Sequence, residues 1–189
     1  MTQQGKNAID LVLAESLIEL SAKKPIDKIT IKEITDKAGV IRPTFYNHFQ
    51  DKYELIEWII KTELLEPIKP LLNAGMIFEA IVLMLNNISA NSVFYKKALK
   101  LEGAVTFNQI AMKCVYEMFM NIINEKSTGK KSKYRWLTPE VISTYYAQSL
   151  CFITEGWIAQ GMDDIEPQEM AEAYMYLITR SMDDILSEL

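Results

Sequence analysis

The fold is decided by residues 29–52, which read ITIKEITDKAGVIRPTFYNHFQDK. Thr30, followed three positions later by Glu33, has the form of a capping box, in which two free N–H groups at a helix start are satisfied reciprocally. Apolar residues follow at helical spacing up to Gly39, which stands where helices commonly end in the left-handed conformation. Pro43 then opens a second short helix, because proline is well tolerated in the first turn. Two short helices joined by a tight glycine turn predict a helix-turn-helix.

Helical periodicity continues on both sides of this motif. Upstream, apolar residues recur at helical spacing over residues 6–23. Downstream, Asp51 caps a helix that we expect to run over residues 51–65, where Pro67 and Pro70 break it. The upstream helix and the motif together predict a three-helix head over residues 1–52.

The remainder, residues 53–189, also has helical patterns. A Thr-Pro cap opens a helix over residues 138–160, and a proline opens the last helix over residues 167–187. Residues 127–133 are polar, basic and without periodicity, which is typical of a loop. No strand or repeat is indicated. The sequence therefore predicts an all-α protein of about nine helices, in which a three-helix helix-turn-helix head precedes a helical body.

Length and composition suit a protein with a sizeable core. The chain has 189 residues, of which 49% are hydrophobic, yet no apolar run approaches the ~18 residues of a membrane-spanning helix. The first residues, MTQQGKNAIDL, lack the basic-then-apolar layout of a signal peptide. Cys114 and Cys151 stand far apart within apolar helical patterns, which favours two buried reduced thiols over a disulfide. We therefore expect a cytoplasmic protein with no membrane partner.

The net charge of −5 is unevenly divided along the chain. Residues 1–52 hold eight lysine and arginine residues against seven acidic ones, and residues 53–189 hold twelve against eighteen. The acidic excess therefore belongs to the body, whereas the head is near neutral with local basic spots. Such a charge is compatible with DNA binding but does not predict it, so the prediction rests on the motif.

The motif resembles a known signature. ITDKAGV at residues 34–40 and TFYNHFQDK at residues 44–52 are similar to the signature of the tetracycline-repressor (TetR) family of bacterial transcription regulators. This resemblance implies a homodimer that binds a palindromic DNA operator, with an affinity that a small-molecule effector or a partner protein in the body changes. PIDKIT at residues 25–30, RPTFYNHFQDKYEL at residues 42–55 and NSVFYKKAL at residues 91–99 further resemble the branch of dihydroxyacetone-kinase regulators. Some members of that branch respond to a partner protein and activate transcription.

Contacts with DNA divide into phosphate contacts, which position the protein, and base contacts, which specify the sequence. Arg42 at the start of the recognition helix can read O6 and N7 of guanine, and carbons of Pro43 and Thr44 can touch a thymine methyl group. Thr30 and the neighbouring N–H groups can meet a phosphate. A cap with no DNA contact is the equal alternative for Thr30.

The resemblance adds four candidates to this set. It implies phosphate contacts for Tyr46, His48 and Lys52, and it places Asn47 where the family varies, so that Asn47 reads a base or makes no contact. The alternative for Tyr46 is a half-buried aromatic side chain. We assign Phe45 and Phe49 to the core, and the basic run at residues 130–135 to a solvated loop.

The body offers a candidate dimer interface and a candidate effector pocket. Its last two helices have apolar faces wide enough to need cover on more than one side, which suits a four-helix bundle made by two copies; the alternative is that both faces pack within one monomer. The candidate interface residues are Ile142, Tyr145, Ser149, Ile153, Trp157, Tyr174, Leu177, Ile178 and Ser181. Aromatic and methionine side chains of the body either line a cavity or form core. The candidate pocket residues are Met84, Phe107, Met118, Tyr145 and Phe152.

Enzyme chemistry has no support in the sequence. One histidine and two distant cysteines do not make a zinc site of usual spacing. No serine or cysteine stands in a nucleophile signature, and no glycine-rich phosphate loop is present. We therefore expect no enzymatic activity, no metal and no cofactor. The rival to a DNA-binding regulator is a helical protein–protein interaction module whose head has lost DNA binding.

Overall fold

The computed structural model describes residues 3–103, 105–126 and 132–188. Across these three ranges the chain forms eleven α-helices, one 3-10 turn and one π-helical segment, with no strand. The predicted all-α fold, with a helix-turn-helix head followed by a helical body, is confirmed. Of the predicted basic loop at residues 127–133, residues 127–131 lie outside the described part.

The head consists of α1 (Gln3–Ser21), a 3-10 turn (Ile26–Lys28), α2 (Ile31–Ala38) and α3 (Arg42–Tyr46). The capping box is present at α2. The Thr30 hydroxyl accepts the N–H of Glu33 at 3.3 Å, and the Glu33 carboxylate accepts the N–H of Thr30 at 2.9 Å. Gly39 ends α2 with a φ of +69°, which favours glycine. The turn between the two helices of the motif therefore forms for the reason that the sequence indicates.

A long helical segment leads from the head into the body. It comprises α4 (Lys52–Ile59), a π-helical segment (Ile60–Leu65) and α5 (Glu66–Asn73). The expected break at Pro67 and Pro70 was wrong, because the backbone stays helical through Leu65 and Glu66. Pro67 has no N–H to offer the carbonyl of Glu63, and the side chain of Asn87 donates to that carbonyl at 2.9 Å instead. A side-chain donor from another part of the chain thus takes the place of the backbone N–H that Pro67 lacks.

The body consists of α6 (Ile77–Ala90), α7 (Ser92–Ala98), α8 (Phe107–Lys126), α9 (Pro139–Ala159), α10 (Pro167–Thr179) and α11 (Met182–Glu188). Helices α8 and α9 pack along each other, and α10 packs against α6. The expectation of one helix over residues 167–187 was wrong. Arg180 is extended, and the Ser181 hydroxyl accepts the N–H of Asp184 at 3.2 Å, so Ser181 caps a separate α11.

One apolar core runs from the head into the body. Phe45 and Phe49 belong to it, as expected. Cys114 and Cys151 are buried free thiols, and burial raises the pKa of each to about 12. Because the core includes Phe49 before residue 52 and Leu55 and Ile56 after it, the boundary between the two domains stays a prediction.

In the part of the chain that the structure describes, no single helix is long and apolar enough to cross a membrane. The α6–α7 pair passes that test only when both helices are taken together across an 88° bend.

Candidate nucleic-acid interface

The outer face of α3 carries most of the candidate base-reading residues. Arg42, Pro43, Tyr46 and Asn47 are exposed, whereas Thr44 is half-buried. Their spacing places the exposed four on one side of the helix. The Arg42 guanidinium donates to the Tyr46 hydroxyl at 3.3 Å and lies 6.0 Å from the Tyr46 ring centroid. The side chain of Arg42 is therefore held along α3 by its neighbour one turn later.

Phe45 seats α3 on the core of the head. Its side chain is buried, and its ring centroid lies 5.9 Å from that of Phe49 and 5.7 Å from that of Tyr46. Aromatic contacts at this distance stabilise the pair beyond area burial alone. A helix of only five residues would not hold its shape in water, so this anchor is what presents the exposed face.

Thr30 is exposed at the N-terminus of α2 and is engaged by its own capping box. Its hydroxyl donates to the Glu33 carboxylate at 2.8 Å, and the Lys24 ammonium lies 2.5 Å from the same carboxylate. The hydrogen bond from Lys24, followed by those from the N–H and hydroxyl of Thr30, lowers the pKa of Glu33 to about 2. The cap is thus a charged network, and the phosphate contact of Thr30 stays a prediction.

His48 does not lie where a phosphate contact requires it. Its side chain is 1% exposed, and Nδ1 lies 2.6 Å from a carboxylate oxygen of Asp10 in α1. Because a carboxylate only accepts hydrogen bonds, Nδ1 carries the proton. Nε2 is also buried and has no partner among the described residues. The contact implied by the family pattern does not fit this position; the ring ties α1 to the end of α3 instead.

The side chain of Lys52 also forms its hydrogen bonds within the head. Its ammonium donates to the carbonyl oxygens of Ile26, Asp27 and Ile29 at 2.9, 2.7 and 3.1 Å. An ammonium has three protons, so these three carbonyls occupy all of them. Burial lowers the pKa of Lys52. The predicted phosphate contact of Lys52 therefore does not fit the structure, in which Lys52 braces the 3-10 turn that precedes α2.

Two residues of this region were missed by the sequence reasoning. Asp10 is the partner of His48, and no local pattern in α1 signals a contact with a residue 38 positions away. Ile41 precedes α3 in an extended conformation and is largely exposed beside Arg42. Ile41 could have been noticed in the sequence, because it is a large apolar residue in the turn of the motif. Its position does not fit the buried face of either neighbouring helix.

Comparison with known proteins gives this geometry its context. The pattern of bacterial regulatory proteins of the tetR family matches residues 15–59, and that of a transcriptional regulator C-terminal region matches residues 76–180. The chain belongs to the tetR family. Regulators of this family bind DNA, so the exposed face of α3 belongs to a DNA-binding transcriptional regulator.

Individual relatives of this TetR-family chain are also transcriptional regulators. The HTH-type dhaKLM operon transcriptional activator DhaS of Lactococcus lactis subsp. lactis (strain IL1403) is 26% identical over 152 residues, which is 79% of each chain. A solved structure of the dihydroxyacetone kinase operon activator DhaS has a TM-score of 0.63 at 21% identity and covers 90% of this chain and 93% of its own. NalD of Pseudomonas aeruginosa, a secondary repressor of the MexAB-OprM multidrug efflux pump, has a TM-score of 0.59 at 12% identity over 92% and 96% of the two chains. One is an activator and the other a repressor, so the shared fold does not decide the sign of regulation.

The candidate dimer residues of this TetR-family chain divide into two groups. Tyr145 on α9 is 63% exposed, and Leu177 on α10 is 48% exposed; Phe152, predicted as a pocket residue, is 77% exposed on the same α9. Ile142, Ser149, Ile153 and Ile178 are half-buried, and Ser181 is exposed as the cap of α11.

Trp157 and Tyr174 do not fit the predicted dimer interface. Both are buried within the protomer, and the Trp157 indole N–H donates to the carbonyl of Ile165 at 2.9 Å. Side chains that already pack inside one protomer have no surface left for a second copy.

The candidate pocket residues do not converge on one cavity. A cavity of about 40 Å³ lies in the body and is lined by Met84 and Phe107. Met118 is buried away from this cavity, Tyr145 faces outward, and Phe152 lines a separate open cleft, so an effector site made by all five residues stays a prediction. Apolar periodicity indicates which residues share one face of a helix. It does not show whether that face is packed, exposed to solvent or next to a cavity.

Two residues that line this cavity carry buried hydroxyl groups. The hydroxyls of Tyr95 and Thr154, which both belong to lining residues, are buried without a hydrogen-bond partner in the described part of the chain. Burial, and then the nearby Glu63 carboxylate, raises the pKa of Tyr95 well above its usual range. The surface that faces the cavity is apolar, so these hydroxyls are not presented to an occupant.

Proposed function

We propose that the chain is a homodimeric regulator that recognises a palindromic operator with α3 of each head in the major groove. The exposed face of α3, with Arg42, Pro43, Tyr46 and Asn47 on one side and Phe45 anchoring the other, carries this proposal. Arg42 reads a guanine, Pro43 contacts a thymine methyl group, and Tyr46 contacts a phosphate. Ile41 joins them as a second apolar contact. The chain acts by binding DNA in the cytoplasm and catalyses no reaction.

The outward face of α9 and α10 supports the dimer. Tyr145, Ser149, Phe152 and Gly156 follow one another at helical spacing on α9, and Leu177 adds a large apolar side chain on α10. Large apolar side chains grouped on one exposed face are typical of an interaction surface. Two copies of this face complete a four-helix bundle, and a two-fold dimer presents its heads to half-sites one helical turn apart, ~34 Å.

The size of the cavity bears on what modulates DNA affinity. Pockets for drug-sized ligands are typically ~300–1,000 Å³, whereas the cavity here is about 40 Å³. An occupant of this cavity would therefore be an effector of very few atoms. Larger clefts of about 480 and 580 Å³ elsewhere on the protein are open to solvent, so a partner protein is the other candidate modulator. The similarity to DhaS, a dhaKLM operon activator, supports an activator over a repressor of drug efflux.

A second candidate function is an interaction module whose head binds DNA weakly. Trp136 is 74% exposed, and Tyr134 near it is also largely exposed, so the segment before α9 offers aromatic side chains to a partner. The inward position of His48 and Lys52 removes two of the expected DNA contacts. This reading predicts that loss of Arg42 and Tyr46 leaves function intact.

Selection of genomic fragments by the purified full-length protein, at near-physiological salt, separates the two functions. One or a few palindromes are expected from the parent protein, and none from a variant that combines Arg42→Ala with Tyr46→Ala. Recovery of the same background fragments by both proteins would contradict the operator-binding proposal. Sedimentation of the parent protein in the same buffer shows whether it is a dimer at the concentration used.

A further inference from the structure

Residues 132–137, SKYRWL, precede α9 and form an exposed segment that is both basic and aromatic. Trp136 is 74% exposed, and Tyr134 is also largely exposed. The Lys133 ammonium lies 5.5 Å from the Tyr134 ring centroid, and exposed Arg135 lies between the two aromatic residues in the sequence. We call residues 132–137 the basic segment. Tryptophan, tyrosine and arginine are enriched where proteins meet, so the segment has the composition of an interface.

Helix α11 (Met182–Glu188) is acidic and has an uncovered apolar side. Its sequence, MDDILSE, holds three carboxylates and no basic residue. None of its seven residues is buried, and Met182 and Leu186, one turn apart, are 70% and 60% exposed. The Glu188 carboxylate accepts the Tyr176 hydroxyl at 2.5 Å, which holds α11 beside the end of α10. A short helix that buries nothing gains little from its own chain, so cover from another surface stabilises it.

The basic segment and α11 complement each other in charge and in apolar character. The segment carries two positive side chains, and α11 carries three negative ones. Opposite charges across an interface favour the matched pair over other partners. Trp136 and Leu186 stay exposed in the protomer, so the two surfaces do not cover each other within one chain. A contact between them therefore requires a second molecule.

The course of α8 shows where the end of the body that is farther from the head lies. Near the start of α8, Lys113 lies 2.8 Å from Glu57 on α4, the helix that leaves the head. At the end of α8, the Lys126 ammonium donates to the carbonyl of Leu72 in α5 at 2.7 Å. Because α5 follows α4 away from the head, α8 ends at the far end of the body.

The basic segment and α11 both lie toward this far end. Asn108 at the start of α8 donates to Glu155 near the end of α9 at 2.7 Å, so the two helices are antiparallel and α9 begins at the far end. The Trp157 indole donates to the carbonyl of Ile165, just before α10, at 2.9 Å. Helix α10 therefore starts where α9 ends, and it leads back to α11 at the level where α9 begins.

A second copy of this chain is the partner that this arrangement favours. A two-fold dimer with both heads on one duplex has its axis directed from the heads to the far ends of the bodies, which makes the two far ends neighbours. Each protomer brings one basic and one acidic surface to that place. A single two-fold axis then forms the same contact twice, and neither surface needs a different protein as its complement.

We propose that α11 of each protomer docks on the basic segment of its partner, as a contact outside the face of α9 and α10. Trp136 packs on Met182 and Leu186 of the partner subunit, and Arg135 faces the carboxylate of the partner's Asp183. The reciprocal contact selects a second copy over other helical proteins with a similar apolar face, because those lack the matching charges. The inference rests on the proposed homodimer for the presence of a second copy.

Cross-linking between two tagged forms of the full-length protein tests the geometry. One form carries Leu137→Cys beside Trp136, and the other carries Ser187→Cys on α11. The forms are mixed, allowed to exchange and treated with a short bis-maleimide. The native cysteines are buried and react poorly. We expect a covalent dimer that carries both tags. Val93→Cys, at an exposed apolar position on α7, replaces Leu137→Cys in the control and is expected to give none.

Charge reversal tests the pairing. Arg135→Glu or Asp183→Lys alone is expected to raise the dimer dissociation constant by roughly 5- to 30-fold, because an exposed ion pair is replaced by repulsion at two places. A mixture of the two variant proteins restores opposite charges at both contacts, so heterodimers are expected to form with nearly the parent affinity. Lys100→Glu, on an exposed lysine after α7, is the control for net charge and should leave the dissociation constant nearly unchanged.

Sedimentation equilibrium and native mass spectrometry of these proteins decide the outcome. A parent protein that stays monomeric would overturn the proposed homodimer and this contact together. A dimeric parent without the α11 cross-link, or a mixture that pairs no better than either variant alone, would overturn the contact and leave the homodimer standing. In that case the basic segment and α11 would face a protein other than this chain.

Discussion

Nδ1 of His48 lies 2.6 Å from a carboxylate oxygen of Asp10, and this contact joins the end of the recognition helix to α1. The imidazole is enclosed, and its other nitrogen is buried as well. A histidine that the sequence pattern assigns to the DNA backbone is thus part of the interior of the head. The pair helps to set where α3 stands, and its effect on DNA binding passes through that position.

The first prediction concerns this pair. Asp10→Ala leaves a buried imidazole N–H without its acceptor, so we expect a loss of about 1–3 kcal/mol in the free energy of unfolding. Asp10→Asn keeps an acceptor oxygen and should cost less. Urea denaturation measures both. Equal and negligible losses for the two variants would contradict a structural role of the pair.

Lys52 supplies the second prediction. Lys52→Met keeps the apolar stem but leaves three carbonyl oxygens without their shared donor, so we expect a loss of stability of about 1–3 kcal/mol. The salt dependence of DNA binding should stay unchanged, whereas loss of a true phosphate contact lowers the log–log slope by ~0.9 per head. Lys28→Met, on a neighbouring exposed lysine, is the control for charge alone and should leave stability nearly unchanged. A smaller dependence of DNA affinity on salt concentration for Lys52→Met would instead support the phosphate contact.

The third prediction is a pH dependence from the cap of α2. Lys24 and Thr30 lower the pKa of Glu33 from 4.5 to about 2, so the ionised carboxylate favours the folded state. That contribution is complete above a pH of about 4.5 and is lost as the pH falls through about 2. The Tm difference between the parent and Glu33→Gln should therefore be largest near neutral pH and shrink in acid. Thr30→Ser, which keeps the hydroxyl, should follow the parent; a pH-independent difference for Glu33→Gln would contradict the assignment.

The fourth prediction separates base reading from phosphate contact on α3. Arg42→Ala should relax the preference at one base pair per half-site by about 1–3 kcal/mol, because a bidentate contact to guanine is lost. Tyr46→Phe should weaken binding to all sites alike, since a phosphate contact carries no sequence information. Competition binding with single-base variants of the operator measures both. An unchanged base preference for Arg42→Ala would refute its role as a reader.

Local signals account for the parts of the fold that were predictable. The Thr30–Glu33 capping box, the left-handed Gly39 and the Asp51 cap each depend on residues within a few positions, and all three formed as expected. Where prediction failed, the deciding partner was distant in sequence. Asn87 stabilises the helix at Pro67 from a separate element, and nothing near the proline announces it.

The residues of the candidate site also fall into those set by local sequence and those set by distant partners. The exposure of Arg42, Tyr46 and Asn47 follows from helical spacing within one short helix. His48 follows that helix and Lys52 begins the next one, but Asp10 and the 3-10 turn, both outside the motif, accept hydrogen bonds from their polar ends in the interior of the head. A motif specifies residue types at positions, whereas the direction of a long polar side chain depends on which acceptors the tertiary fold brings near.

The last prediction tests the dimer. Phe152→Asp or Leu177→Asp places a charge on the exposed face of α9 and α10, and in a two-fold interface each change acts twice. We expect the dimer dissociation constant to rise by roughly 30-fold or more, as for a central apolar contact. Circular dichroism should show an unchanged fold, because Phe152 is 77% exposed in the protomer. Sedimentation equilibrium measures the dissociation constant, with Ile77→Asp, an exposed apolar residue at the start of α6, as the control. If the Phe152→Asp and Leu177→Asp proteins stay dimeric at the same concentrations, two copies meet through another surface. If they become monomers, each head is left with a half-site, and operator affinity should fall far more than Arg42→Ala alone would lower it.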